Sequence, residues 1–125
     1  MPKGIRPTQN KVRKALFDIL GDMEGASFLE LFSGSGAVGF EAASRGAREI
    51  VLVEWDRGCL QAMKETSEAL KIENCVLIPI QADAAIPKLH KQKRVFDFIF
   101  LDPPYYGESA KKALQMLGAY DILAP

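Results

Sequence analysis

The tetrapeptide Asp102-Pro103-Pro104-Tyr105 directly follows an apolar run at residues 95–101. Its parts suit a flat ring bearing an amino group. A proline fixes its own φ and presses the preceding residue into extended backbone, so Asp102 and Pro103, each before a proline, are held stiffly. The Asp102 carboxylate and a backbone carbonyl, that of Pro103, can accept both N–H bonds of an exocyclic amine, and Tyr105 can stack on the ring. Acceptors that need no rearrangement during reaction are what stabilise developing charge. The plain alternative is a strand-ending turn with a chance aromatic.

A second constellation is Glu30-Leu31-Phe32-Ser33-Gly34-Ser35-Gly36-Ala37-Val38-Gly39. It matches G-x-G-x-x-G between a predicted strand and a predicted helix. Gly34 and Gly36 permit a tight turn close to a ligand, and Gly39 permits close packing of helix on strand. An acid about twenty residues on is expected to accept hydrogen bonds from ribose hydroxyls, and Glu54 stands there. An ordinary βα turn with a solvent-facing Glu is the alternative. A dinucleotide would place its pyrophosphate at the helix amino end, where Glu30 would repel it. A ligand carrying an ammonium and a sulfonium suits that carboxylate better, unless Glu30 only bonds neighbouring backbone. Asp83, after the third strand, either accepts from an adenine amino group or caps a helix starting at Ala84. Trp55 either lies on the adenine face or packs in the core.

These residues need a scaffold that brings strand ends together, and the chain reads as one. Residues 9–20 read as a helix with Val12, Ala15, Leu16, Ile19 and Leu20 on one face, Thr8 as N-cap and Gly21 as stop. Strands are predicted at 26–32, 49–54, 75–80 and 95–101, the last buried. Helices are predicted at 38–44, 57–70, 84–89 and 109–117. Such alternation predicts an α/β fold with a parallel sheet and helices on both faces. Ligands bind at the carboxyl ends of such strands, where the glycine loop, Glu54, Asp83 and Asp102 all fall. Residues 120–125 read as the approach to a further strand, so 1–125 is expected to be one domain lacking its C-terminal strands.

The chain has 125 residues, 48% of them apolar and 26% charged, enough for one core. Sixteen bases balance sixteen acids, so net charge selects no partner. The distribution is less even. Residues 1–17 hold Lys3, Arg6, Lys11, Arg13 and Lys14 with no acid, and Lys88, Lys91, Lys93 and Arg94 precede the fourth strand. Such clusters mark a phosphate-binding face or are solvated charge. Cys59 and Cys75 have neither metal-ligand nor C-x-x-C spacing, so no metal is expected. No run reaches the roughly 18 apolar residues of a membrane span, and no apolar signal segment follows the basic start. A cytoplasmic protein is expected, with no membrane partner.

Glu30, Ser33-Gly34-Ser35-Gly36, Glu54, Asp83 and Asp102-Pro103-Pro104-Tyr105 resemble the motif series of class I S-adenosylmethionine-dependent amino-methyltransferases. Arg6-Pro7-Thr8, Val12-Arg13 and Leu16-Phe17 narrow the resemblance to the bacterial RsmD-like 16S rRNA (guanine-N2)-methyltransferases. The resemblance covers nearly the whole chain and implies a Rossmann-like sheet of order 3-2-1-4. It implies S-adenosylmethionine held by Glu30, Phe32, Ser33, Gly34, Ser35, Gly36, Glu54, Trp55 and Asp83. It implies catalysis by Asp102, Pro103 and Tyr105, and contacts to 16S rRNA of the small ribosomal subunit by Arg6, Thr8, Lys11, Arg13 and Tyr106. The tetrapeptide alone also fits an adenine-N6 methyltransferase of DNA or RNA. The glycine pattern alone allows a nicotinamide-dependent oxidoreductase, and a non-catalytic cofactor-binding fragment is a further reading.

Overall fold

A computed structural model of the protein describes residues 17–101 and 108–125. Strands β1 (Ser27–Leu31), β2 (Glu49–Val53), β3 (Cys75–Ile78) and β4 (Phe98–Leu101) alternate with helices α1 (Ala37–Ser44), α2 (Arg57–Ala69), α3 (Ala82–Lys91) and α4 (Glu108–Ala119). All strand pairs are parallel, and the sheet order is β3-β2-β1-β4. This is the Rossmann-like arrangement expected from the sequence.

Side chains alternate between the two faces of the sheet, as its pleat requires. Leu29, Leu31, Val51 and Val53 point toward Ala82, Ala85, Ile86 and Leu89 of α3 and Ala113 of α4. Phe28, Ile50 and Leu52 point the other way, toward Phe40 and Ala42 of α1, Met63 of α2, and Phe17. Residues 17–20 are helical, and Gly21 ends that turn with φ +82°, the predicted stop. Thr8, the predicted N-cap, lies outside the described residues. Arg45 clasps this lead-in turn. Its guanidinium lies 5.1 Å from the Phe17 ring centroid and pairs with Asp18 at 3.6 Å and Glu41 at 2.8 Å.

The first three helices end alike. Ala47 and Gly46 donate to Ala42 and Ala43, Ile72 and Lys71 to Ser67 and Glu68, and Arg94 and Lys93 to Leu89 and His90. This paired closure puts one residue in the left-handed region, usually glycine. Gly46 fills it after α1, whereas Lys71 (φ +57°) and Lys93 (φ +60°) fill it after α2 and α3.

Most boundaries shift by one or two residues, and those of α3, β3 and β4 have an identifiable cause. Helix α3 starts at Ala82 and runs through Pro87 to Lys91, longer than 84–89, because the Gln81 carbonyl already accepts from Ala84 and Ala85. Strand β3 stops before Pro79, which has no N–H to offer the ladder. Strand β4 is shorter than predicted and only half-buried, because it is the sheet's edge. Its register is fixed by Asp97, whose carboxylate accepts from the Ser27 N–H (2.9 Å) and hydroxyl (3.2 Å), while its own N–H reaches Ser27 Oγ at 3.0 Å. The tail begins to pair as read. Phe96 bridges Leu123 in parallel, donating to the Ile122 carbonyl and accepting from Ala124, both at 2.8 Å. Among the described residues no helix is long and apolar enough to cross a membrane, and no group of three or more His, Cys, Asp or Glu could hold a metal ion.

Candidate functional site

The four strands end level. Leu31 pairs with Val53 on one side and Leu101 on the other, and Val53 pairs with Ile78. The chain therefore leaves all four strands along one edge, and the predicted site residues are distributed on the segments that follow.

The loop after β1 turns through alternate left-handed residues: Phe32 (φ +57°), Gly34 (φ +59°) and Gly36 (φ +78°). For phenylalanine that backbone costs about 1–2 kcal/mol, so the surroundings must impose it. Ser33 supplies the restraint. Its N–H donates to the Val53 carbonyl (3.0 Å), its hydroxyl to the Glu30 carbonyl (2.9 Å), and its own carbonyl accepts from Gly36 (2.8 Å). A Cβ on Gly36 would lie 2.7 Å from Phe40 Cε2, whereas among the described residues nothing lies within 4 Å of a Cβ on Gly34. The loop is thus tight against the protein at Gly36 and open at Gly34. Ser35, half-buried, lies between them.

Two carboxylates flank the loop. Glu30 is only 4% exposed, and its Oε1 accepts from the Gly39 N–H at 3.0 Å. Gly39 is the third residue of α1, so Glu30 takes one of the helix's orphan donors and places negative charge at its positive end. Gly39 must be glycine for this approach, because a Cβ would overlap Leu52 Cδ2 and lie 3.1 Å from Ile50 Cγ2 and 3.2 Å from Glu30 Oε1. Glu54, half-buried after β2, reaches across to the loop. Its Oε1 accepts from Gly34 N–H at 2.8 Å, and its Oε2 accepts from Trp55 and Asp56 N–H at 2.9 Å each. A carboxylate offers about four acceptor positions, so room for one more donor remains.

Trp55 is 60% exposed, which overturns the core-packing alternative. With Asp56, Arg57, Leu60 and Pro79 it lines an open pocket of about 590 Å³ beside Glu54. Sequence reasoning missed Asp56, Arg57, Leu60 and Pro79. Asp56 was detectable as a helix cap. Its Oδ2 accepts from Cys59 N–H at 2.9 Å, and that bond holds its carboxyl below the usual carboxylate range. Asp83 is half-buried in the first turn of α3. The helix begins two residues earlier than expected, with Gln81 as its N-cap, so the reading of Asp83 as N-cap is overturned. Asp83 has no hydrogen bond to another described residue. Burial pushes the thiols of Cys59 and Cys75 up to about 11. Both are therefore protonated at neutral pH and are poor nucleophiles or ligands.

Asp102, Pro103, Tyr105 and Tyr106, and likewise Arg6, Thr8, Lys11 and Arg13, lie outside the described residues. At the opposite edge of the sheet, an open groove of about 610 Å³ is lined by Phe40, Ala43, Ser44 and residues 70–74. It contains none of the predicted groups. The chemistry available at the carboxyl edge is mainly acceptance: two fixed carboxylates, a strained glycine loop with space beside Gly34, and an exposed indole, with the Arg57 guanidinium a donor on the pocket's lining. That set fits a hydroxylated, aromatic, cationic ligand better than a polyanion.

A family profile described as Conserved hypothetical protein 95 matches residues 1–125. The chain is 32% identical to the Ribosomal RNA small subunit methyltransferase D of Haemophilus influenzae, over 98% of this chain and 65% of that one. It is also 32% identical to the protein of the same name from Escherichia coli K12, over 91% and 57% respectively. Among solved structures, a hypothetical protein of Thermus thermophilus is similar with a TM-score of 0.85 at 33% identity, over 99% of this chain and 72% of that one. The chain thus spans 57–65% of the length of these curated relatives.

Proposed function

The chain belongs to the Conserved hypothetical protein 95 family, and we propose that it carries the cofactor cradle and reaction corner of an S-adenosylmethionine-dependent rRNA methyltransferase acting on the exocyclic N2 of a guanine in 16S rRNA. The observation that carries this reading is the pair of carboxylates around the glycine loop. Glu30 occupies the helix donor that a pyrophosphate would need, and Glu54 stands at the end of β2 with one acceptor position open. The names of the relatives support the rRNA methyltransferase part of this reading.

The residues present fit the cofactor. The open space beside Gly34 leaves room for a ligand against the loop, Glu54 offers an acceptor to a ribose hydroxyl, and Trp55 offers a face to the adenine. Glu30, Phe32, Ser33, Ser35, Gly36 and Asp83 complete the proposed cradle. When bound, S-adenosylmethionine supplies an electrophilic methyl group on a sulfonium. Leu101 ends level with Leu31, and Asp102 follows it in the chain. In the proposed reaction, Asp102 and the Pro103 carbonyl accept the two N–H bonds of guanine N2. The lone pair is normally conjugated into the ring. These acceptors draw the nitrogen toward a pyramidal shape and stabilise the positive charge that develops on it, and the N–H proton lost after transfer leaves through the Asp102 carboxylate. Tyr105 stacks on the base and compensates the unstacking that brings it into the cleft. Tyr106 lines the same pocket, and Arg6, Thr8, Lys11 and Arg13 meet substrate phosphates.

The test is methyl transfer from labelled S-adenosylmethionine to small ribosomal subunits lacking the modification, with the nucleoside product read by mass spectrometry after digestion. N2-methylguanosine, lost on Asp102→Ala without loss of cofactor binding, is the expected result. N6-methyladenosine would replace the guanine assignment by the adenine one. Incorporation by a longer protein but not by this chain would make residues 1–125 a cofactor-binding part only. A melting point raised by NAD and not by S-adenosylhomocysteine would overturn the whole reading.

A further inference from the structure

The lysines at the carboxyl end of α3 take no part in the proposed cleft. Residues 84–96 contain Lys88, Lys91, Lys93 and Arg94 and no acid. Arg94 is committed to the fold, since its guanidinium pairs with Glu49 and lies 5.2 Å from the Phe96 ring centroid. Lys88, Lys91 and Lys93 are exposed, and among the described residues the ion pairs belong to Arg45 and Arg94. Lys88 and Lys91 stand three apart on the helix and so are neighbours on its surface. Lys93 follows in the left-handed position that closes the helix.

Attraction of cations to a helix carboxyl end explains Lys88 and Lys91 in part. It does not explain a lysine at Lys93, where glycine is the unstrained choice. Lys71 holds the same backbone position after α2, which provides an internal comparison. Within six residues along the chain it has the acids Glu65, Glu68 and Glu73, whereas Lys93 has Lys88, Lys91, Arg94 and one acid, Asp97, whose carboxylate accepts from Ser27. The layer containing α3 also presents Lys111 and Lys112 on α4, both exposed. The acids on these two helices are Asp83 and Glu108, each in a first turn. Asp121, exposed just past α4, is the acid closest in chain to Tyr120, whose ring lies 5.1 Å from that of His90.

We infer that Lys88, Lys91 and Lys93 form a docking point for the RNA phosphate backbone, separate from the reaction cleft. The inference rests on the proposed function for the kind of polyanion. Helix α3 starts at the carboxyl edge of the sheet and spans about 14 Å from Ala82 to Lys91. That distance spans several successive phosphates of one RNA strand. A base presented to the cleft therefore leaves flanking backbone within reach of these lysines. The large apolar residues of α3, Ile86 and Leu89, are buried in the core, so the helix has no bulky apolar face to insert into a bilayer.

The test is binding of a fluorescein-labelled RNA hairpin across a salt series, with S-adenosylhomocysteine titrated into the same samples. The triple variant Lys88→Glu, Lys91→Glu, Lys93→Glu is expected to bind RNA at least about 30-fold more weakly, with a salt slope smaller by about two to three, and to bind S-adenosylhomocysteine as before. Lys93→Gly is expected to raise the melting point yet weaken RNA about threefold. Lys71→Gly should raise the melting point and leave RNA binding unchanged. A stabilised variant that binds less RNA cannot be attributed to misfolding. RNA binding by the triple variant with the parent's affinity and slope, no RNA binding by the parent, or preference of the parent for phosphatidylserine vesicles over RNA would each overturn the inference. Failure of S-adenosylhomocysteine to bind the parent would instead count against the proposed function.

Discussion

Glu54 is assigned a ribose hydroxyl by its place in the sequence, but its hydrogen bonds give it a structural task as well, and Glu54→Gln separates the two. The carboxylate accepts from Gly34 on one oxygen and from Trp55 and Asp56 on the other. A glutamine oxygen placed on the Trp55 and Asp56 side keeps those two bonds and turns its NH2 toward the Gly34 N–H, donor against donor. The Trp55 and Asp56 bonds are exposed, whereas the Gly34 bond is part-buried, so most of the cost falls on the last. A bond to a charged acceptor contributes about 1.5–3 kcal/mol, and partial exposure places this one near the lower end. A loss of about 1.5 kcal/mol lowers the melting point of a chain this size by roughly 5 °C. The assay is thermal unfolding without ligand, followed by S-adenosylhomocysteine titration. The expected outcome is a lower melting point in the ligand-free protein and an affinity weakened by tenfold or more. An unchanged ligand-free melting point would refute the claim that Glu54 holds the loop. Lost stability with unchanged affinity would refute its part in binding.

Gly39→Ala should cost about 2–3 kcal/mol, because the added carbon meets Leu52 and Ile50 on a well-packed strand. Urea unfolding checks it, and a loss below about half a kilocalorie would mean that α1 lifts off the sheet freely. Asp56 has a carboxyl held below its ordinary value by the Cys59 N–H. It therefore contributes stability that is present above its unfolded value of about 3.9 and is lost as pH falls through the lower folded value. Asp56→Asn keeps a capping side chain and removes the titration, so its urea midpoint should fall less than the parent's between about pH 5 and pH 2. Equal slopes would reject the assignment.

The parallel direction of the strands was legible because each β run is separated by a helix-length segment, which requires a crossover, whereas their order came from the family resemblance and not from the spacing. The close approach at Gly39 followed from the glycine spacing, and the bond of Glu30 to the Gly39 amide is the alternative that its place at a strand end left open. The start of α3 was not legible. Gln81 is an undistinguished cap, and Asp83 has the side chain that usually signals one, so residue type pointed two positions too far along. Trp55 was ambiguous because a bulky apolar residue at a strand end is either core or surface according to what packs over it. The same limit applied to β4. Its composition reports that it is apolar, but burial depends on the strand beside it, and here, among the described residues, the tail at 122–124 pairs with Phe96, just before β4, rather than along the strand. The pocket formed with Leu60 and Pro79 joins residues from different segments, with no local pattern to connect them.

A glycine loop opening a helix is usually an anion site, because the helix end supplies unpaired N–H groups and positive potential. Here the same loop has the opposite sign. Glu30 consumes the Gly39 donor from within the sheet and Glu54 consumes the Gly34 donor from the next strand, so two of the amides that would greet a phosphate already face carboxylates. The glycines keep their steric use, with space beside Gly34 and contact at Gly36, while the electrostatic preference moves from phosphate to cation. Discrimination between a dinucleotide and a sulfonium nucleoside therefore rests on the two carboxylates more than on the glycine pattern. Replacing Glu30 alone would not convert the site to phosphate binding, because Glu54 would still hold the Gly34 amide.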